Sequence, residues 1–350
     1  MIERAACAVP PPQACDEGEG LMIVDAHNDL LLELGHRAHE ENPFGRHWLP
    51  KLRAGGVELQ VCPIYVDFDD LPELGLRGAL KLATAFHRAA RENAADVAVV
   101  RTTADIDSLD GRIGLLLSFE GAEPLGYDLS LLDTFWELGL RMVGLTYNRR
   151  NPFADGMAEQ DDGGLSNLGR ALVDRLAERG VMIDLAHASD RTFWDVLEHA
   201  PKDATVIVSH ANCRALVPTP RNLSDEQLRA LAEHGGVLGI LAHPYVVQPG
   251  EPTIDRLIDH VDHAVSVMGI EHVAIGGDFI RQVTRSGAVR VPTDALLPDG
   301  MAIDATIEGL AGPDDYPALV TGLRARGYEG ERLGAILRGN WLRVFRDALA

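Results

Sequence analysis

Beyond residue 21, short apolar or β-branched runs alternate with longer stretches whose apolar residues recur every three or four positions. The short runs predict strands at 22–27, 57–66, 113–119, 141–147, 181–186, 204–209, 236–242 and 272–277. Helix signals fall between them. Ser130-Leu-Leu-Asp133 reads as a capping box, with Gly139 as the stop. Ser166 precedes a stripe of Leu168, Leu172, Val173 and Leu176 that Gly180 ends. Ser224-Asp-Glu-Gln227 is a second capping box ahead of Leu228 and Leu231, closed by Gly235. Ile254, Leu257, Ile258, Val261 and Val265 form a further stripe. Eight strands alternating with helices mean parallel βα units, and they favour a closed (β/α)8 TIM-like barrel over an open sheet. The expected class is therefore α/β. No Pro/Gly/Ser-rich linker divides 22–350, so one barrel domain is expected there. The long connections 30–56 and 280–315 would lie on the C-terminal face, where loops shape a pocket.

Composition narrows the partners. Thirty-two Lys and Arg stand against 53 Asp and Glu, a net charge of −21 in 350 residues. Such a chain repels phosphate backbones and anionic bilayers, so neither nucleic acid nor a membrane is an expected partner. With 46% apolar and 24% charged residues, a folded chain is expected. Cys7, Cys15, Cys62 and Cys213 share no CxxC spacing, which argues against a disulfide scaffold and for reduced thiols in the cytoplasm. Residues 1–21 are rich in Pro, Ala and acid, carry no basic-then-apolar signal pattern, and are expected to form a disordered leader. No run of 18 apolar residues occurs.

The residues that end the strands carry the chemistry. The first closes on Asp25-Ala-His27-Asn-Asp29, the third on Phe119-Glu120-Gly121, and the fourth on Thr146-Tyr147-Asn148. The fifth closes on Asp184-Leu-Ala-His187, the sixth on Ser209-His210, the seventh on Ala242-His243, and the eighth on Gly277-Asp278. One such histidine would be unremarkable in a core. In a barrel, however, all these ends meet at one mouth, which gathers His27, Asp29, Glu120, His187, His210 and Asp278. The carboxylates would repel one another there, and a divalent metal removes that cost. Imidazole with carboxylate suits zinc, with manganese, cobalt or iron as alternatives. His27 and Asp29, two apart on a strand, would share a face. Six groups exceed one tetrahedral ion, so a pair of ions bridged by Glu120 fits better. Such a pair can share a hydroxide and polarise a carbonyl, which is hydrolytic machinery.

In this order, the motifs Asp25-Ala-His27-Asn-Asp29, Phe119-Glu120-Gly121, Asp184-Leu-Ala-His187, Ser209-His210, Arg221-Asn222, Gly276-Gly-Asp278-Phe and Gly339-Asn340-x-Leu-Arg-Val-Phe345 resemble those of the membrane (renal) dipeptidases. These are binuclear zinc peptidases, family M19, of the amidohydrolase superfamily. The resemblance runs from about Met22 to Phe345. It implies that His27 and Asp29 hold one zinc, His187 and His210 the other, and that Glu120 bridges them. It implies Asp278 as the acid/base and Arg221 as the partner of the substrate's C-terminal carboxylate. A homodimer is likewise implied. Two positions depart from the family. Tyr147-Asn148 stand where its well-known members have a histidine that polarises the substrate carbonyl, and either residue could donate a hydrogen bond instead. Ile280-Arg281 replace an Asp-Gly pair, placing a cation near the mouth that could recognise a carboxylate.

The leading expectation is a cytoplasmic zinc dipeptidase acting on small peptides, with Tyr147 at the oxyanion, Asp278 carrying the proton, and Arg221, Asn148 and Arg281 contacting substrate. One alternative keeps the metals and cleaves N-acyl amino acids or other small amides. A non-catalytic barrel is a third reading, which the intact ligand set disfavours. His243 and Tyr245 read equally as pocket lining or as packing. Strand alternation turns Asp184 away from the ligand face.

Overall fold

The computed structural model describes residues 22–289 and 302–350; the expected leader at 1–21 lies outside them. The strands are β1 (Ile23–Asp25), β2 (Val57–Ile64), β3 (Val97–Val99), β4 (Ile113–Phe119), β5 (Leu140–Gly144), β6 (Met182–Asp184), β7 (Val206–Ala211), β8 (Leu238–Leu241) and β9 (Val273–Gly276). All pair in parallel. The order β1-β2-β4-β5-β6-β7-β8-β9 closes on itself through Asp25 against Ile275. The fold is thus an eight-stranded TIM-like barrel, as the strand–helix alternation predicts.

Strand β3 is the addition that the apolar pattern did not reveal. It pairs with the first half of β4, Val97 with Ile113 and Val99 with Leu115, whereas β5 takes the second half from Leu117 onward. Its three residues lie between Asp96 and Arg101, too short a run to register as a strand.

Alternation along the strands builds two cores. One face contributes Val24, Leu59, Val61, Leu116, Met142, Met182, Ile207 and Ala274. The helix Asn340–Ala348 joins this set through Trp341 and Phe345, and Trp341 Nε1 donates to the Ile275 carbonyl at 2.8 Å. The Thr103 amide, in the segment leading into β4, bonds the Leu349 carbonyl, so this helix plugs the N-terminal end of the barrel. The opposite face, with Leu117, Val143, Ile183 and Val208, packs on the surrounding helices through residues such as Phe86, Leu172 and Val196. Truncating one of these, for example Leu172→Ala, costs about 2–5 kcal/mol by transfer and cavity terms.

Most helix signals hold. Ser166 Oγ accepts from Gly169 N, and Ser224 with Gln227 forms the full capping box. Ser130 makes no side-chain cap; instead Asp128 Oδ1 accepts from the Ser130 amide and hydroxyl, because a turn precedes the helix. The stops Gly139, Gly180 and Gly235 all have positive φ. Among the described residues no helix is long and apolar enough to cross a membrane.

Candidate metal centre

The C-terminal end of the barrel gathers all six of the converging residues. The Nε2 atoms of His27, His187 and His210 lie 3.6, 3.1 and 3.6 Å from one oxygen, Glu120 Oε1. His187 and His210 bring their Nε2 atoms within 3.0 Å of each other. His27 Nε2 is 3.9 Å from both Asp29 Oδ1 and Asp278 Oδ1. Two donor groups thus share His27, one with Glu120 and His210 and one with Asp29 and Asp278.

The local structure explains how each side chain arrives. Strand β1 stops at Asp25, so His27 and Asp29 do not share a strand face as their spacing predicted. Asp29 is instead the N-cap of the helix Leu30–His36, and its side chain makes no capping bond. That leaves the carboxylate to face His27. His210 lies inside β7, whose Ser209 carbonyl presses on Gly276; a Cβ there would meet it at 2.0 Å, so only glycine fits. His187 and Asp278 hold left-handed backbones, φ 64° and 50°. Non-glycine residues rarely adopt this conformation, and such strain concentrates at functional sites. The Asp278 amide bonds the His27 carbonyl at 2.9 Å, and the His187 carbonyl accepts from Met157 N at 2.9 Å.

Outer partners set the tautomers. Asn148 Oδ1 lies 2.7 Å from His187 Nδ1, which must therefore carry the proton and leave Nε2 with a lone pair. Ser209 Oγ donates to Asp184 and lies 2.7 Å from His210 Nδ1, so it accepts from that ring and points the His210 lone pair inward. Asp184 is not in the donor cluster, as alternation predicted, but it anchors this relay and also accepts the Ser209 and Ala186 amides. The cross-strand register that joins Asp184 to Ser209 has no signature in the sequence.

The electrostatics describe a site short of positive charge. Burial opposes a charged His27, yet the Glu120, Asp278 and Asp29 carboxylates outweigh it and raise its pKa to about 10. Burial and the Glu120 charge push Asp29 well above the usual carboxylate range. Burial lifts Asp278 to about 6, against the pull of His27. Burial, with Arg221 adding to it, lowers His187 to about 3, so it is neutral. His27 Nε2 and Asp29 Oδ1 are buried without a hydrogen-bond partner. Neutral imidazoles with inward lone pairs, orphaned donor atoms and crowded carboxylates fit divalent cations.

A cavity of about 90 Å³ opens on this cluster. Arg221 is buried in its wall, with Nη2 3.1 Å from His187 Nε2. The Tyr147 ring lies over His187 at 4.4 Å between centroids, and Tyr65 meets Tyr147 edge-on at 4.8 Å. His243 and Tyr245 also line the cavity. Arg281 is not among the lining residues. Ile280 faces the cavity, while Arg281 lines a neighbouring cleft and reaches Thr306 Oγ1 at 3.5 Å.

A model of the membrane dipeptidase family, peptidase family M19, matches residues 18–292. The chain belongs to this family. It is 30% identical to Dipeptidase 3 of Homo sapiens over 340 residues, covering 93% of this chain and 64% of that protein. The chain thus spans just under two thirds of that relative. An M19 structure described as dipeptidase AC superposes with a TM-score of 0.82 at 28% identity, covering 95% of this chain and 99% of the other. A metallo peptidase from Rhodobacter sphaeroides, liganded with a phosphinate mimic of the dipeptide L-Ala-D-Ala, gives 0.82 at 27% identity, covering 94% and 100%.

Proposed function

We propose that this chain is a metal-dependent dipeptidase that holds two divalent ions, zinc foremost, among His27, Asp29, Glu120, His187 and His210. The observation that carries this reading is the convergence of three imidazole Nε2 atoms on Glu120 Oε1. Bound there, the ions would supply Lewis-acid polarisation of the scissile carbonyl and acidification of water. The protein's own groups do the rest. Asp278, with its pKa raised to about 6, takes the proton of the attacking water and passes it to the leaving amine. Tyr147 stays protonated, because burial raises its pKa well above 10, and so remains a hydrogen-bond donor for the developing oxyanion. Arg221 offers a guanidinium fork to the substrate's C-terminal carboxylate. Asn148 acts one step back, by orienting His187. The L-Ala-D-Ala mimic held by the Rhodobacter sphaeroides relative supports a dipeptide, with a D-residue accepted at its second position.

A second reading, hydrolysis of N-acyl amino acids, rests on one observation. Among the described residues the cavity is lined by three carboxylates, Asp29, Glu120 and Asp278, and all belong to the donor cluster. None is left to pair with a substrate ammonium, and Ile280 faces the cavity instead. The deciding experiment measures bound metal, then assays dipeptides with L- and D-residues at the second position beside their N-acetyl counterparts. Two ions per chain with dipeptide turnover support the first reading. Cleavage of the acetylated set alone selects the second, and less than one tightly bound ion per chain overturns both.

A further inference from the structure

Beside the metal pocket lies a second cleft, of about 530 Å³, within the range of small-molecule sites. The two share a wall. On the helix Ile280–Arg285, Ile280 and Thr284 face the metal pocket, whereas Arg281 and Arg285 face the cleft. Its lining is unlike the rest of this chain. Five permanent cations meet three carboxylates there, in a protein whose net charge is −21. A local reversal of sign focuses anions against the repulsion of the whole molecule.

Internal pairing does not use up this charge. Arg37 is committed to Glu33 and Glu40, each at 2.7 Å, and Arg285 to Asp304 at 2.8 Å. Lys51 stands 3.8 Å from Asp314, at the limit of an ion pair. The carboxylates are occupied as well. Glu33 also accepts from Gln282, and Asp315 accepts the Ala311 amide at 2.8 Å. Two guanidiniums remain. Among the described residues the Arg46 side chain makes no hydrogen bond or ion pair, and Arg281 reaches Thr306 at 3.5 Å and lies in the field of Asp304, which Arg285 already pairs, without forming an ion pair of its own. Arginine presents a rigid fork matched to carboxylate and phosphate, so two forks in one cleft with no ion pair among the described residues are complementary to an anion with more than one charged group.

We propose that this cleft is a binding site for a small polyanion bearing two or more carboxylate or phosphate groups, gripped by Arg46 and Arg281 and separate from the metal pocket. The test is calorimetric titration of the metal-loaded, full-length protein at low ionic strength. Pyrophosphate and benzene-1,3,5-tricarboxylate serve as the two probes, and they separate phosphate-borne from carboxylate-borne recognition. Saturable binding of either is expected, with a dissociation constant of about 0.1–1 mM. The double variant Arg46→Glu/Arg281→Glu should weaken it about tenfold or more. A control with the same charge change on exposed residues elsewhere, Arg77→Glu/Lys202→Glu, should change it less than about threefold. Metal content and unfolding midpoint, equal to wild type, establish that the variants are folded. No saturable binding by wild type overturns the proposal. So does equal weakening in both doubles, and so does binding retained by Arg46→Glu/Arg281→Glu, which places the anion away from these two arginines.

Discussion

The Tyr316 hydroxyl donates to Asp25 Oδ2 at 2.8 Å, joining two residues 291 positions apart. Asp25 is fully buried, and its other oxygen accepts the His27 amide at 3.1 Å and the Gly277 amide at 2.8 Å. One carboxylate thus ties the chain before His27 to the chain before Asp278, with a phenol from the helix Tyr316–Ala325 donating to its second oxygen. Tyr316→Phe keeps the ring and strands that oxygen. A loss of about 1–3 kcal/mol in unfolding free energy is expected, read from urea denaturation. Unchanged stability would mean that Asp25 finds another partner.

Much of this was legible in the sequence, and the exceptions have physical causes. The barrel could be read because each buried parallel strand is a near-continuous apolar run. The donor set could be read because polar residues closed those runs. The premise about His27 and Asp29 failed, since Asp29 begins a helix, yet a helix turn brought the carboxylate to the same place. Arg281 went elsewhere for a related reason. Residues after Asp278 enter a helix, in which neighbours lie about 100° apart, so Ile280 and Arg281 look into different clefts. The tethers Asp184–Ser209 and Asp25–Tyr316 depend on register and on long-range packing, which no local pattern encodes.

Ser209 matters through His210. Its hydroxyl passes the Asp184 charge to His210 Nδ1 and so fixes which ring nitrogen is free. Ser209→Ala leaves the Asp184 bonds to two backbone amides intact, so the fold should persist. Divalent-metal affinity is expected to fall about 10–100-fold, the usual cost of losing an outer partner of a ligand. A competitive chelator titration measures it, and an unchanged affinity would remove the relay from metal binding.

His243 supplies a pH dependence. Burial, aided by Arg221, lowers its pKa from the ordinary value near 6.5 to about 3. Between those values the unfolded chain binds the proton and the folded chain does not. Stability is therefore complete above about pH 6.5 and declines as the pH falls toward 3, by at most about 1.4 kcal/mol per pH unit from this residue. His187 adds the same sign over the same window. Urea unfolding of the metal-free protein at pH 7 and pH 4.5 should show the loss, and His243→Gln should reduce it. An equal loss in the variant would place the acid sensitivity elsewhere.

Asp278 has two readings that one substitution separates. It lies in a donor group with His27 and Asp29, and it is also the carboxyl raised to about 6 at the cavity wall. Asn is the informative replacement, because Asp278 has φ 50° and asparagine tolerates that left-handed backbone, whereas alanine would add strain. If Asp278 moves the proton, Asp278→Asn should retain the full metal complement and lose about 10²–10⁴-fold in kcat. If it is chiefly a ligand, bound metal should fall by one equivalent, and excess metal should restore part of the activity. Full metal with unchanged turnover would exclude both roles and leave the proton to another group at the cavity wall.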